Sequence, residues 1–183
     1  MRTPMWIPAL ALLLGVCSGA AQAQENRSMY LQGGVGEKEA YAATVGVTIP
    51  WAPSWSWGLG GGVVRGQWDA YVSNWSSQPD MGSRRNTVVL GIGPSLRWRG
   101  DTGQSPWFVE VGTGVNYANR YYRSGSDTFS TRYNFATHLG VGRNFGAQRE
   151  HEISLRIQHS SNAGIKDPNP GENFLLLRYA RAF

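Results

Sequence analysis

In successive stretches from Ser28 onward, apolar side chains alternate with small or polar ones. This period of two constrains the fold more than any other feature of the sequence. Around residues 41–51 the apolar set is Tyr41, Val45, Val47, Ile49 and Trp51, with Thr44, Gly46 and Thr48 between them. A helix would scatter such a set around its axis, whereas a strand sorts it onto two faces. The alternation recurs over about 28–36, 40–51, 55–72, 87–99, 106–119, 131–145, 151–163 and 173–183. The 24 glycines point the same way, because each costs roughly 1 kcal/mol relative to alanine inside a helix. An all-β chain of eight antiparallel strands is expected.

The connections alternate short with long. Ala52-Pro53-Ser54, "GDTGQS" and "GAQRE" are short, whereas "SNWSSQPDMGSRRN", "RYYRSGSDTFS" and the segment after Asn162 are long. One strand face is apolar; the other carries Gly, Ser, Thr, Asn, Glu and Arg. Trp51, Trp55, Trp98, Trp107, Tyr117 and Tyr133 fall near strand ends, as in the aromatic girdles of a lipid-facing band. Phe183 after an alternating strand resembles the C-terminal signature of outer-membrane barrels. A soluble sandwich or lipocalin-like barrel explains the alternation equally well, but not the loop lengths, the aromatic ends or Phe183. The expected fold is an eight-stranded up-and-down transmembrane β-barrel of the outer membrane. Its lumen is filled by side chains and has no channel. In it, Glu110 or Glu152 would neutralise Arg97 or Arg156.

The N-terminus reads as a secretory leader. Arg2 is followed by "WIPALALLLGV" and by Ala21-Gln22-Ala23, which places cleavage after Ala23 and a single barrel domain over 24–183. A lipoprotein signal ending at Cys17 is the competing reading, and Val16 suits it poorly. Without the leader the chain has no cysteine, hence neither disulfide nor thiolate chemistry. Sixteen basic residues then face twelve acidic ones, a formal charge of +4. That suits anionic lipid headgroups, and no basic run or nucleic-acid motif accompanies it.

In the seventh strand Ile153, Leu155 and Ile157 form the outward set, and His159 and Ser161 continue the same face. With short turns at the periplasm, this strand runs outward and puts the pair at the outer leaflet. Residues i and i+2 on one face have Cβ atoms about 7 Å apart, so an imidazole can lean onto the hydroxyl. A histidine that takes a serine's proton activates it as a nucleophile. A carboxylate should orient the imidazole; Glu172 is the better candidate and Asp167 the second. Two polar residues at a strand end are the plainer alternative. Ser160 faces the lumen, as does His138, while His151 sits at the periplasmic end beside Glu150. No His/Asp/Glu cluster has metal-ligand spacing on the outer face, so neither metal nor cofactor is expected.

The stretch "HSSNAGIKDPNPGE" near the end of an eight-stranded barrel resembles the lipid A 3-O-deacylases. The likeness is strongest over 157–183. The resemblance implies hydrolysis of the ester-linked 3-position acyl chain of lipid A by a metal-free Ser-His-Glu triad: Ser161, His159 and Glu172. It implies oxyanion stabilisation by Asn162 and the Gly164 amide, and a further site position at Asn169. The family glutamate lies about one residue further from the histidine than Glu172 does. The implied partners are lipid A of lipopolysaccharide and membrane lipid, with a homodimer left open. The alternative function is a non-catalytic barrel, an adhesin or structural protein with binding loops.

Overall fold

The computed structural model of the protein describes residues 26–183. The expected leader, with Cys17 and the cleavage site, lies outside the described residues. The described chain forms β1 (Ser28–Gly36), β2 (Tyr41–Pro50), β3 (Ser56–Leu59), β4 (Gly62–Ser77), β5 (Arg85–Arg99) and β6 (Trp107–Ala118). A tiny hairpin of β7 (Arg123–Ser124) and β8 (Asp127–Thr128) follows, then β9 (Tyr133–Phe145), β10 (His151–Ser161) and β11 (Glu172–Ala182). Eight of these close into an antiparallel barrel in the order β1, β2, β4, β5, β6, β9, β10, β11, with β11 paired back onto β1. Closure gives each of these eight strands a partner on both sides, which is what lets a sheet stand in lipid.

The expected third strand, 55–72, is two strands. Gly60 and Gly61 have φ of +55° and +75°, the backbone of a tight two-residue hairpin turn. The turn folds β3 back onto the start of β4, pairing Trp57 with Val64 and Leu59 with Gly62. Paired residues share a face, so the outward parity passes from odd in β3 to even in β4. Trp68 and Val72 therefore face outward, and Val63, paired with Gly58, lies on the opposite face from Trp57 and Leu59. β4 also extends to Ser77, which shortens the loop that follows.

The barrel is apolar outside and charged inside. Leu31, Val45, Val72, Leu90, Leu139, Leu155 and Leu177 are among the exposed apolar residues of the outer belt. Trp51 packs against Trp55 and Trp68 at the short-turn end, and Tyr117 lies 4.8 Å from Tyr133 at the long-loop end. In the lumen Arg97 bonds Glu152 at 2.7 Å and Glu110 at 2.9 Å, and Arg156 also pairs with Glu110. Asp69 accepts from Arg156 at 3.0 Å, Arg178 at 3.2 Å and the Tyr30 hydroxyl at 2.6 Å. Burial this deep is tolerable because the charges are paired and hydrogen-bonded. His138 faces the same lumen, 3.3 Å from Ser95 Oγ.

The apolar core sits higher, under the long loops. Trp75, Tyr122, Phe129, Phe174 and Leu176 meet there with Ala40, Ala42, Val89 and Ala118. Trp75 lies 4.9 Å from Phe174 and 5.2 Å from Tyr122, and Tyr122 lies 5.1 Å from Phe129. This aromatic plug closes the long-loop mouth directly beneath β10 and β11, where the functional residues gather.

Candidate active site

β10 is held in register by β9 and β11, with Ser161 opposite Phe135 and His159 between Thr137 and Asn173. Its alternation places Ile153, Leu155, Ile157 and His159 outside, with Ser161 half-buried at the end of that row. Ser160 points the other way. It is fully buried and accepts a bond from Asn116 Nδ2 at 3.3 Å. His151 lies at the opposite end of β10, against Tyr179 OH at 2.8 Å and stacked beside Phe145.

His159 and Ser161 share one outer face at the long-loop rim. Among the described residues Ser161 Oγ makes no hydrogen bond, so its lone pairs are uncommitted. His159 Nδ1 lies 2.8 Å from Asn173 Oδ1. An amide oxygen only accepts, so this bond requires the imidazole proton on Nδ1, which leaves Nε2 as the acceptor of the neutral ring. Gly171, with φ +70°, closes over the ring: a Cβ there would lie 2.7 Å from His159 Cε1. Only glycine supplies both that backbone and that clearance.

Glu172 lies on the inner face instead of beside His159. It is 2% exposed and pairs in register with Ser160. Its Oε1 accepts the Glu37 backbone N–H at 2.8 Å and its Oε2 accepts the Tyr122 hydroxyl at 3.0 Å. The physical reason is phase: successive strand residues point to opposite faces, and a one-residue offset inverts the side chain. The outward residue opposite His159 is Asn173, whose Nδ2 donates to Glu37 Oε1 at 2.9 Å. Asp167 lies in the exposed connecting loop.

The expected oxyanion donors are placed differently from their expected use. Asn162 is buried and its amide is spent on the loop, with Nδ2 bonded to Ser130 Oγ at 2.9 Å and to Lys166 O at 2.6 Å. Its Oδ1 accepts the Gly164 N–H at 2.9 Å, which occupies that donor as well. Asn162 N donates to Asn169 Oδ1 at 2.9 Å. That bond fixes the Asn169 amide with its Nδ2 turned away from Asn162. Asn162 and Asn169 thus clamp the 162–171 loop beside Ser161. Among the described residues no group of three or more His, Cys, Asp and Glu is placed to hold a metal ion.

Asn173, Glu37 and Tyr122 were not singled out from sequence. One signal was available for Asn173. Arg178 stands mid-strand and belongs in the lumen, so counting back in twos puts Glu172 inside and Asn173 outside.

An eight-stranded antiparallel barrel with an apolar outer belt and a charged lumen defines a class, the outer-membrane β-barrels. The family model of the lipid A 3-O-deacylases (PagL) matches residues 39–182, and the chain belongs to that family. It is 28% identical over 171 residues to the lipid A deacylase PagL of Pseudomonas aeruginosa, covering 93% of each chain. It is 35% identical over 95 residues to the lipid A deacylase PagL of Bordetella bronchiseptica, covering 49% of this chain and 47% of that one. The crystal structure of the outer-membrane enzyme PagL superposes with a TM-score of 0.72 at 25% identity, covering 85% of this chain and 99% of the other.

Proposed function

We propose that the protein hydrolyses the ester-linked 3-position acyl chain of lipid A, with Ser161 as nucleophile and His159 as general base, at the outer leaflet. The observation that carries this reading is the uncommitted Ser161 hydroxyl two residues from a histidine whose Nδ1 is held by Asn173. Ser161 Oγ attacks the acyl carbonyl as its proton passes to His159 Nε2. The tetrahedral intermediate collapses with cleavage of the bond to the glucosamine 3-oxygen, which takes the proton back from the imidazolium. Water, deprotonated by His159, then releases the fatty acid and restores the serine.

Asn169 suits the oxyanion better than Asn162 or Gly164. Its Oδ1 is anchored by Asn162 N, which leaves Nδ2 as the donor at the rim. One such donor is typically worth about 3–4 kcal/mol of transition-state stabilisation. The acyl chain lies along the outer belt beside Phe135 and Ile157 and stays in lipid throughout. The outer-leaflet reading is supported by the usual arrangement of such barrels, with short turns at the periplasm and long loops outside.

The test is mass spectrometry of lipid A from outer membranes with and without the protein. The expected product lacks one 3-position acyl chain, and Ser161→Ala yields unmodified lipid A. Unmodified lipid A with the wild-type, correctly folded barrel would overturn the reading in favour of a non-catalytic barrel.

A further inference from the structure

The site holds a chain of polar groups that the reaction above does not by itself require. His159 Nδ1 meets Asn173 Oδ1 at 2.8 Å, and Asn173 Nδ2 meets Glu37 Oε1 at 2.9 Å. The two ends of one amide are therefore used in opposite senses. The imidazole N–H supplies a proton to the carbonyl, and the NH2 supplies one to a carboxylate. An amide flip would set Oδ1 against the Glu37 carboxylate, two acceptors with no proton between them, so the bond to Glu37 would be lost. The carboxylate thus fixes which way Asn173 faces, and Asn173 fixes which imidazole nitrogen carries the proton.

Glu37 is itself held. It lies in the four-residue connection between β1 and β2, and its backbone N–H donates to Glu172 Oε1 at 2.8 Å and lies 3.3 Å from Asn173 O. Glu172 is steadied from beneath by the Tyr122 hydroxyl at 3.0 Å, and Tyr122 is packed in the aromatic plug. The inner carboxylate anchors the backbone whose outer carboxylate reaches Asn173.

We infer that Asn173 and Glu37 form a two-step relay that orients His159, with an amide against the imidazole and the carboxylate one residue removed. The inference rests on the deacylase reading for its consequence in catalysis, though not for its geometry. Both are positioning residues: Asn173 acts through His159, and Glu37 acts through Asn173. A carboxylate polarising the amide strengthens the carbonyl as an acceptor for the imidazolium that forms in the transition state. Glu172 belongs to the scaffold that presents Glu37.

The experiment has two readouts on the full-length barrel in detergent or lipid. The first is the tautomer of neutral His159, read by nitrogen NMR of 15N-histidine-labelled protein, with His159→Gln assigning the signal among the three histidines. Wild type should carry its proton on Nδ1, and Asn173→Leu should shift population to the Nε2–H form. The second is lipid A turnover. Asn173→Leu should lower kcat by about a hundredfold or more with KM within about twofold, since the lost interaction serves the imidazolium and not the substrate. Asn173→Asp combined with Glu37→Gln, which keeps an acceptor against Nδ1 and replaces the facing carboxylate with an amide that can donate, should recover most of that loss. Glu37→Ala should lower kcat by about tenfold, the low end of what outer partners of a functional histidine contribute. Glu37→Gln keeps an acceptor but drops the charge and should fall between Glu37→Ala and wild type.

An Nε2–H tautomer in the wild type would overturn the relay. So would wild-type kcat in both Asn173→Leu and Glu37→Ala when Ser161→Ala is inactive. An inactive wild type that still shows an Nδ1–H tautomer lost in Asn173→Leu would sink the deacylase reading and leave the relay standing.

Discussion

Ser160 and Ser161 are neighbours in the chain and opposites in environment. One is fully buried in the lumen under Asn116; the other stands on the outer wall beside His159. Ser161→Ala should abolish lipid A hydrolysis while the barrel folds, because the side chain supports nothing inside. Ser160→Ala removes a single neutral hydrogen bond and should cost about 1 kcal/mol of stability without touching turnover. Wild-type activity in Ser161→Ala, with loss in Ser160→Ala, would reverse the assignment. Gly171 makes a second residue-scale case. Its φ of +70° and the 2.7 Å approach of His159 Cε1 leave no room for a methyl group. Gly171→Ala should push the imidazole off its bond to Asn173, and kcat should fall at least tenfold. Strain at this rim, where the loop enters β11 outside the lumen charges, should reach the unfolding midpoint of the barrel only weakly, so activity and stability should separate.

At the scale of elements, the strands were legible and the phase of one was not. Period-two patterning located β1, β2, β5, β6, β9, β10 and β11 to within two residues at either end, because each strand faces lipid on one side and a polar lumen on the other. The pattern fails wherever both faces are apolar. Phe174, Leu175, Leu176 and Leu177 run without a break because Phe174 and Leu176 fill the plug while Leu175 and Leu177 face outward. That erases the alternation next to Glu172, where it decides which residue meets His159. The β3–β4 hairpin was hidden by a run of glycines, which reads equally as small lumen residues or as a turn. The asparagines of the 162–171 loop, whose residue types suggest oxyanion donors, mostly hold the loop itself. Asn162 makes two side-chain donations and accepts the Gly164 N–H. Asn162→Ala should therefore loosen this loop by about 2–3 kcal/mol, at roughly 1 kcal/mol per bond. Hydrogen exchange should rise across 163–170 and leave β10 protected. Activity should fall with it, through the displaced Asn169. Unchanged exchange in the loop would show that the clamp lies elsewhere.

The whole molecule inverts the usual order of a folded chain. Its outward apolar residues meet lipid, which offers no hydrophobic gain for packing one strand against another. What specifies the barrel beyond its backbone ladder is the lumen. There Asp69, Glu110 and Glu152 are matched against Arg97, Arg156 and Arg178, with Tyr30 and the plug above. Asp69 is the junction, taking two guanidinium groups and a phenol on one carboxylate. Removing one partner of a buried pair leaves the others charged and uncompensated, at a typical cost of about 3–5 kcal/mol. Asp69→Asn keeps the shape and loses the charge, so it should lower the unfolding free energy by that order. The matched comparison is Glu39→Gln at the rim, whose ion pair with Arg84 is stretched to 3.9 Å and exposed. Pairs of that kind are worth about 0–1 kcal/mol. Urea unfolding in lipid vesicles, followed by tryptophan fluorescence, should separate the two by several kcal/mol. The site lies at the far end of β10 from the short turns, so Asp69→Asn should leave kcat close to wild type wherever the barrel remains folded. Equal stability losses in the two variants would mean that the lumen charges are passengers and that the backbone ladder and the plug alone hold the barrel closed.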